Sequence, residues 1–174
     1  AVRGKVAHFI GAKSGDEIVL TAGATMALNM IAQCWALPRL KAGDEILISI
    51  AEHHANIVPW QMVAEKTGAV LRAFPVDEDG SFNMTAFTDM ITARTKIVSV
   101  PHVSNVLGTV FPVAEMAKIA HDANALMVVD GCQGVVHMPV DVQALDADFY
   151  VFSAHKLYGP NGVGILWGKA EILA

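Results

Sequence analysis

The sequence predicts an α/β domain, a three-layer sandwich around a mainly parallel sheet of about seven strands. Two observations support this prediction. Short apolar runs alternate with amphipathic stretches along the 174 residues, and several runs consist almost entirely of Val, Ile, Leu and Met. The alternation is typical of strands joined by helices. Continuous apolar strands indicate a sheet that helices cover on both faces.

The apolar runs and the helical periodicity predict the individual elements. Strands are expected at residues 17–20, 45–50, 70–76, 96–103, 125–129, 148–152 and 164–167. Helices are expected at residues 25–37, 55–67, 84–91 and 113–121. In the first helix, Ile31, Cys34 and Trp35 recur at helical spacing before Pro38 ends the pattern. This length suits one well-buried domain, so residues 1–174 are expected to form a single domain.

The composition narrows the class of protein. Hydrophobic residues make up 53% of the chain, and the net charge is -5 with His neutral. A packed core is therefore expected, and a nucleic-acid partner is not. No apolar stretch approaches the roughly 18 residues of a membrane span, and the first residues show neither the apolar region nor the cleavage site of a signal peptide. Cys34 and Cys132 form no disulfide framework and suit a reducing cytoplasm, so we expect a cytoplasmic protein without a membrane partner.

A lysine follows the predicted strand in the segment DFYVFSAHKLYGPNGVG. The apolar run leads into Ser153, His155 and Lys156, and then into a glycine-rich loop. Burial at the end of a strand would lower the pKa of Lys156, which would make its amine a better nucleophile toward an aldehyde. The alternative is a solvated lysine that begins a loop, because lysine side chains are mostly exposed.

An aspartate follows the predicted strand in the segment ALMVVDGCQG. Asp130 comes after five apolar residues and precedes a glycine. Its carboxylate could form an ion pair with the protonated ring nitrogen of a pyridinium cofactor, and Gln133 could reach the same ligand. Alternatively, Asp130 caps a short helix or binds a ribose or a magnesium ion.

The segment TAGATMALN predicts an anion site. A strand ends, a glycine turn follows and Thr25 opens a helix, whose free N–H groups and dipole favour a phosphate. Alternatively, Thr25 only caps the helix. The segment matches neither GxGxxG nor GxxxxGK[ST], which disfavours a nucleotide-binding domain.

Two further segments place polar residues after strands. In AEHHANIVPW, His53 and His54 could stack on a flat ring or act as acid and base, or they could be solvated turn residues. Adjacent histidines rarely bind one metal together and no ligand cluster completes a site, so no metal is expected. In HVSNVLGT, the Asn105 amide could bind a cofactor oxygen, or it could only form a turn.

These segments all follow predicted strands, and the carboxyl ends of parallel strands share one edge of a sheet. A lysine, a carboxylate, an anion-binding helix start, a stacking imidazole and an amide would therefore meet there. Together they satisfy the main requirements of a pocket for pyridoxal 5'-phosphate (PLP).

In these segments the sequence resembles the SufS-like cysteine desulfurases of the class V aminotransferase family, which are fold type I PLP enzymes. The resemblance extends over essentially the whole chain and is most specific in the EHHAN and lysine segments. It implies that the chain is the PLP-binding large domain. It also implies that an N-terminal segment and a C-terminal small domain of the longer enzyme are absent from it.

The resemblance implies a role for each matching residue. Lys156 would hold PLP as a Schiff base and move a proton. His53 would stack on the pyridine ring and take part in proton transfer, and Asp130 would pair with the ring nitrogen. The other implied contacts are Gln133 and Asn105 beside the ring hydroxyl, and Thr25, Ser153 and His155 around the phosphate.

The implied reaction converts L-cysteine to L-alanine and leaves a persulfide on the enzyme. A homodimer is expected, and the sulfur would pass to an acceptor protein of iron–sulfur cluster assembly. The nucleophilic cysteine and the arginine for the substrate carboxylate are expected outside this chain, and Cys132 is expected to pack rather than accept sulfur. The chain alone is expected to be inactive. Alternatives are a selenocysteine lyase, another class V enzyme, or a folded cofactor-binding fragment without turnover.

Overall fold

The computed structural model describes residues 2–173. The strands are β1 Ile18–Thr21, β2 Glu45–Ser49, β3 Val70–Phe74, β4 Thr95–Pro101, β5 Leu126–Asp130, β6 Phe149–Ser153 and β7 Gly164–Gly168. The α-helices are α1 Val2–Phe9, α2 Ala24–Met30, α3 Val58–Thr67, α4 Met84–Met90, α5 Val113–Asp122, α6 Gly134–His137 and α7 Ala170–Leu173.

The seven strands form one mixed sheet in the order β1-β7-β6-β5-β4-β2-β3. The strands from β6 to β3 in this order are mutually parallel, and β7 is antiparallel to both β6 and β1. The α/β class with a mainly parallel, seven-stranded sheet is therefore confirmed. All seven strands lie within two residues of their predicted bounds. Every residue of β2, β6 and β7 is buried, as expected for strands covered on both faces.

The first predicted helix differs from the expectation. It is α-helical only as far as Met30 and continues as a π-helix over Ile31–Ala36. A π-helix adds a residue to each turn, so the side chains no longer follow the 3.6-residue spacing that predicted one regular helix. Cys34 is exposed in this segment. Trp35 packs edge-on against Phe149, with ring centroids 6.4 Å apart.

Three helices and one feature of the sheet were not predicted. Helices α6 and α7 have four residues each, too few for a periodic pattern. Helix α1 buries Ala7 alone among its eight residues, so it shows little apolar periodicity. The feature of the sheet is strand β3, which forms one of its two edges. Phe74 is buried, and the other four residues of β3 are exposed or half-buried. No helix within residues 2–173 is long and apolar enough to cross a membrane.

The sheet aligns the ends of its central strands. Strands β6, β5, β4 and β2 are adjacent and parallel, so their carboxyl ends lie along one edge. The register places Asp130 between Pro101 of β4 and Val151 of β6. The segments that follow these strands therefore leave the sheet side by side, which is where parallel α/β sheets bind ligands.

Candidate functional site at the carboxyl edge of the sheet

A narrow cleft lies at this edge. Five of the eight predicted site residues line it: His53, Asn105, Asp130, Gln133 and Lys156. The other lining residues are Pro101, Val103 and Cys132. Four separate segments thus bring an amine, a carboxylate, an imidazole and two amides into one concave site.

Lys156 reaches the cleft from a short helical turn. Strand β6 ends at Ser153, and a 3₁₀ turn over Ala154–Leu157 carries the lysine. Tyr158 ends the turn in the left-handed conformation, with φ of 59°. Lys156 is half-buried on this turn, between the buried and the solvated lysine that the sequence left open. His155 is exposed on the same turn.

Asp130 is the last residue of β5 and is buried. Its backbone carbonyl accepts a hydrogen bond from the His102 amide at 2.8 Å. Its carboxylate Oδ1 accepts the Cys132 N–H at 3.0 Å, a turn that aspartate forms with the backbone two residues ahead. Helix α6 has Gln133 at its N-cap, so Asp130 does not cap that helix. The strand and the turn together hold the carboxylate at the cleft.

The two histidines of the EHHAN segment differ in position. His53 lines the cleft, and its Nδ1 accepts the Ala55 N–H at 3.1 Å. A neutral ring with Nδ1 as acceptor carries its proton on Nε2. The His54 ring meets the His53 ring edge-on, at an interplanar angle of 87°. The backbone contact fixes the orientation of His53, the first histidine of the pair.

Two amides face the same cleft. Gln133 Oε1 lies 3.3 Å from His137 Nε2, so a proton on that nitrogen directs the Gln133 oxygen to His137 and leaves its amide N–H groups as donors. Asn105 is exposed in the turn after β4. The Ser104 hydroxyl shapes this turn by accepting the Leu107 N–H at 3.2 Å.

The residues expected around a phosphate, Thr25, Ser153 and His155, lie outside the set that lines this cleft. The structure nevertheless joins the end of β6 to the start of α2, because Ser153 Oγ accepts the Ala24 N–H at 2.8 Å. A Cβ on Gly164 would lie 2.3 Å from Gly23 Cα, so only glycine allows β7 to approach the turn before α2 this closely. Thr25 is exposed in the first turn of that helix.

Cys132 lines the cleft, but it is buried and its thiol is hard to ionise. Burial raises its pKa from 9.0 to about 12, and the Asp130 carboxylate acts in the same direction. The Lys156 ammonium opposes this shift only in part. A thiol that stays protonated is a poor nucleophile. This environment supports the prediction that Cys132 packs and does not accept sulfur.

Sequence reasoning missed three buried polar residues next to the cleft. Glu52 is buried and accepts a hydrogen bond from the Asn56 side chain. Burial raises the pKa of Glu52 well above its ordinary value. Tyr150 and His102 form a buried pair, with the hydroxyl 2.8 Å from Nδ1. Glu52 stands in the EHHAN segment, and Tyr150 is the one hydroxyl-bearing aromatic in its apolar run. A polar residue next to an apolar run of the sequence was the signal that could have identified them.

The aminotransferase class-V family model matches residues 1–174. The chain belongs to the class V aminotransferase family. It is 55% identical over 171 residues to a probable cysteine desulfurase of Vibrio cholerae serotype O1, a match that includes 98% of this chain and 42% of the relative. It is similar to the crystal structure of the cysteine desulfurase CsdA (S-sulfonic acid) from Escherichia coli, with a TM-score of 0.97 and 48% identity over 99% of this chain and 43% of that one. The predicted resemblance is therefore confirmed.

A more distant structure of the same fold is a mutant of C-DES with glycine covalently linked to the PLP cofactor. Its TM-score is 0.87 and its identity 27%, over 99% of this chain and 46% of that one. This class V chain spans less than half the length of each of these three relatives.

Proposed function

We propose that residues 1–174 form one PLP-binding domain of a cysteine desulfurase and that Lys156 attaches the cofactor. The observation that carries this proposal is the shared cleft of Lys156, Asp130 and His53. The names of the relatives support the same activity. The lysine comes from the turn after β6, the aspartate from β5 and the histidine from the segment after β2.

The donor set of the cleft fits the chemistry of PLP. The Lys156 amine can bond to an aldehyde, and the Asp130 carboxylate can pair with a ring nitrogen. The flat His53 ring can cover one face of a pyridine, and the Gln133 and Asn105 amides can bond to a ring hydroxyl. The Ser153 hydroxyl accepts the Ala24 N–H, so its own proton can be donated to a phosphate. Thr25 and His155 are proposed to complete that contact.

When bound, PLP supplies an electron sink for substrate carbanion chemistry. The residues of this chain would control the protons of that chemistry. Lys156 Nζ would hold the cofactor and then, once released, move a proton. His53 would take part in proton transfer through its imidazole. Asp130 would keep the ring nitrogen protonated by pairing its charge with that N–H. Cys132 would line the cleft as a packed, protonated thiol.

The proposal extends to the longer protein that the relatives represent. Its substrate would be L-cysteine, and its products L-alanine and an enzyme persulfide. The sulfur would go to an acceptor protein of iron–sulfur assembly, and the enzyme would act as a cytoplasmic homodimer. The nucleophilic cysteine and the carboxylate-binding arginine would lie outside residues 1–174. We therefore expect no alanine from cysteine with this chain alone, and measurable turnover would contradict that expectation.

Absorption spectroscopy tests the role of Lys156. Added PLP should give the purified protein a visible band, and borohydride reduction should fix the cofactor mass on the peptide that contains Lys156. Lys156→Ala should lose both signals. Lys118→Ala is the matched control, because Lys118 is exposed and, among residues 2–173, forms an ion pair with Asp122 alone, on the same helix. Absence of the band in the wild type, or labelling that survives in Lys156→Ala, would contradict the proposal.

A further inference from the structure

Glu52 is a buried acid beside the cleft that the proposed mechanism does not use. It follows β2 and precedes His53, and it is 9% exposed. Its Oε2 accepts a hydrogen bond from Asn56 Nδ2 at 2.8 Å. Within residues 2–173, its Oε1 is buried and has no hydrogen-bond partner. Buried polar atoms are almost always paired, so this oxygen requires an explanation.

The surroundings of Asn56 determine which oxygen of Glu52 is an acceptor. Asn56 is fully buried, and its Oδ1 accepts both Trp60 Nε1–H at 2.9 Å and Ser99 Oγ–H at 2.7 Å. Two donors on that oxygen fix the amide orientation, so Nδ2 must donate to Glu52 Oε2. A proton on Glu52 would then reside on Oε1, and Oε1–H would be a donor that points away from Asn56.

The charges around Glu52 favour the neutral acid. No lysine, arginine or histidine of the described chain forms an ion pair with it. Burial raises the pKa of Glu52, and the Asp130 carboxylate adds to this; the Asn56 hydrogen bond and the nearby Ser49 backbone N–H oppose it without reversing the shift. Asp130 is therefore the charged group that acts on Glu52. Since no direct hydrogen bond joins the two side chains, a link between them needs a bridging water.

We propose that Glu52 is a protonated carboxylic acid whose Oε1–H donates, through one buried water, to the carboxylate of Asp130. Glu52 is then a positioning residue. It adds a hydrogen-bond donor to the Asp130 carboxylate, which also accepts the Cys132 N–H. Hydrogen bonds donated to a carboxylate favour its ionised form. The ionised Asp130 is the form that pairs with a cationic ring. The part that concerns the cofactor rests on the proposed function, whereas the proton on Glu52 and its link to Asp130 do not.

Infrared spectroscopy of the cofactor-free protein tests the acid and its link. A carboxylic acid C=O band should appear at neutral pH in the wild type and be absent from Glu52→Gln. The band should shift in Asp130→Asn, which leaves the Asn56 contact intact. No band in the wild type means an ionised Glu52 and overturns the proposal. A band that Asp130→Asn leaves unchanged overturns the link.

A second experiment tests the positioning role with a matched pair of variants. Glu52→Gln keeps an acceptor for Asn56 and replaces Oε1–H by an amide donor, whereas Glu52→Leu has neither. The carboxyl carbon NMR shift of Asp130 should move in Glu52→Leu and not in Glu52→Gln, and PLP binding should weaken by about tenfold or more only in Glu52→Leu. Equal NMR shifts in both variants, or wild-type PLP affinity in Glu52→Leu, would overturn the role. If the wild type itself binds no PLP, the proposed function fails, while the infrared and NMR results still decide the inference.

Discussion

Alkylation of Cys132 offers a quantitative test of the electrostatics of the cleft. The pKa of this thiol is raised from 9.0 to about 12, first by burial and then by the Asp130 carboxylate. At about pH 8 the thiolate fraction should fall from about one tenth for an ordinary thiol to about one in ten thousand, a factor of about a thousand. Because the thiolate is the species that reacts, the alkylation rate should fall by at least the same factor.

The assay is a time course of iodoacetamide labelling, read by peptide mass spectrometry on native and urea-unfolded protein. The exposed Cys34 serves as the internal control and should label at similar rates in both states. Asp130→Asn should accelerate native labelling of Cys132, because it removes a charge that raises the pKa of the thiol. Native labelling of Cys132 within tenfold of its unfolded rate would refute the reasoning.

Two further substitutions test packing and pH dependence. Gly131→Ala would place a Cβ 1.9 Å from Cε1 of the buried Tyr150 ring; overpacking of this severity should cost about 3 kcal/mol and lower the melting temperature by about 6–12 °C in calorimetry. Gly4→Ala is the control, since nothing lies within 4 Å of its added Cβ, and equal melting temperatures would contradict the clash. For Glu52→Gln, the raised pKa means that the stabilising contribution of Glu52 is fully present below about 4.5 and is lost as the pH rises toward the folded value. In urea denaturation, the unfolding free energy of the wild type should therefore fall relative to the variant as the pH rises above about 4.5, and parallel pH profiles would contradict a neutral Glu52.

The sequence predicted the strands well because burial on both faces demands continuous apolar runs. Strand β2, residues Glu45–Ser49, was predicted with the same start and one extra residue. The helices were less regular than their periodicity indicated. The segment Ile31–Ala36 forms a π-helix, and its Trp35 packs against Phe149, a residue distant in sequence that local periodicity does not include.

The residue types in the cleft could also be predicted, because each chemically distinctive side chain follows an apolar strand. The surroundings of these side chains could not be predicted from the sequence. The sequence left open whether Lys156 is buried or solvated, and the structure places it half-buried on a 3₁₀ turn. Likewise, the state of Glu52 depends on Asn56, whose amide is oriented by Ser99, 43 residues farther along the chain.

The sequence by itself therefore determined the α/β class, the order of the strands and five of the side chains that line the cleft, because periodicity and strand-end position are local properties. Only the tertiary structure decided which of these side chains share a cleft, how deeply each is buried and in which direction their surroundings shift their pKa values. Those properties depend on strand order, register and the electrostatic field of neighbouring strands. Asp130 shows this most clearly: its position between β4 and β6 lets its charge act on Glu52, Cys132 and Tyr150 at once.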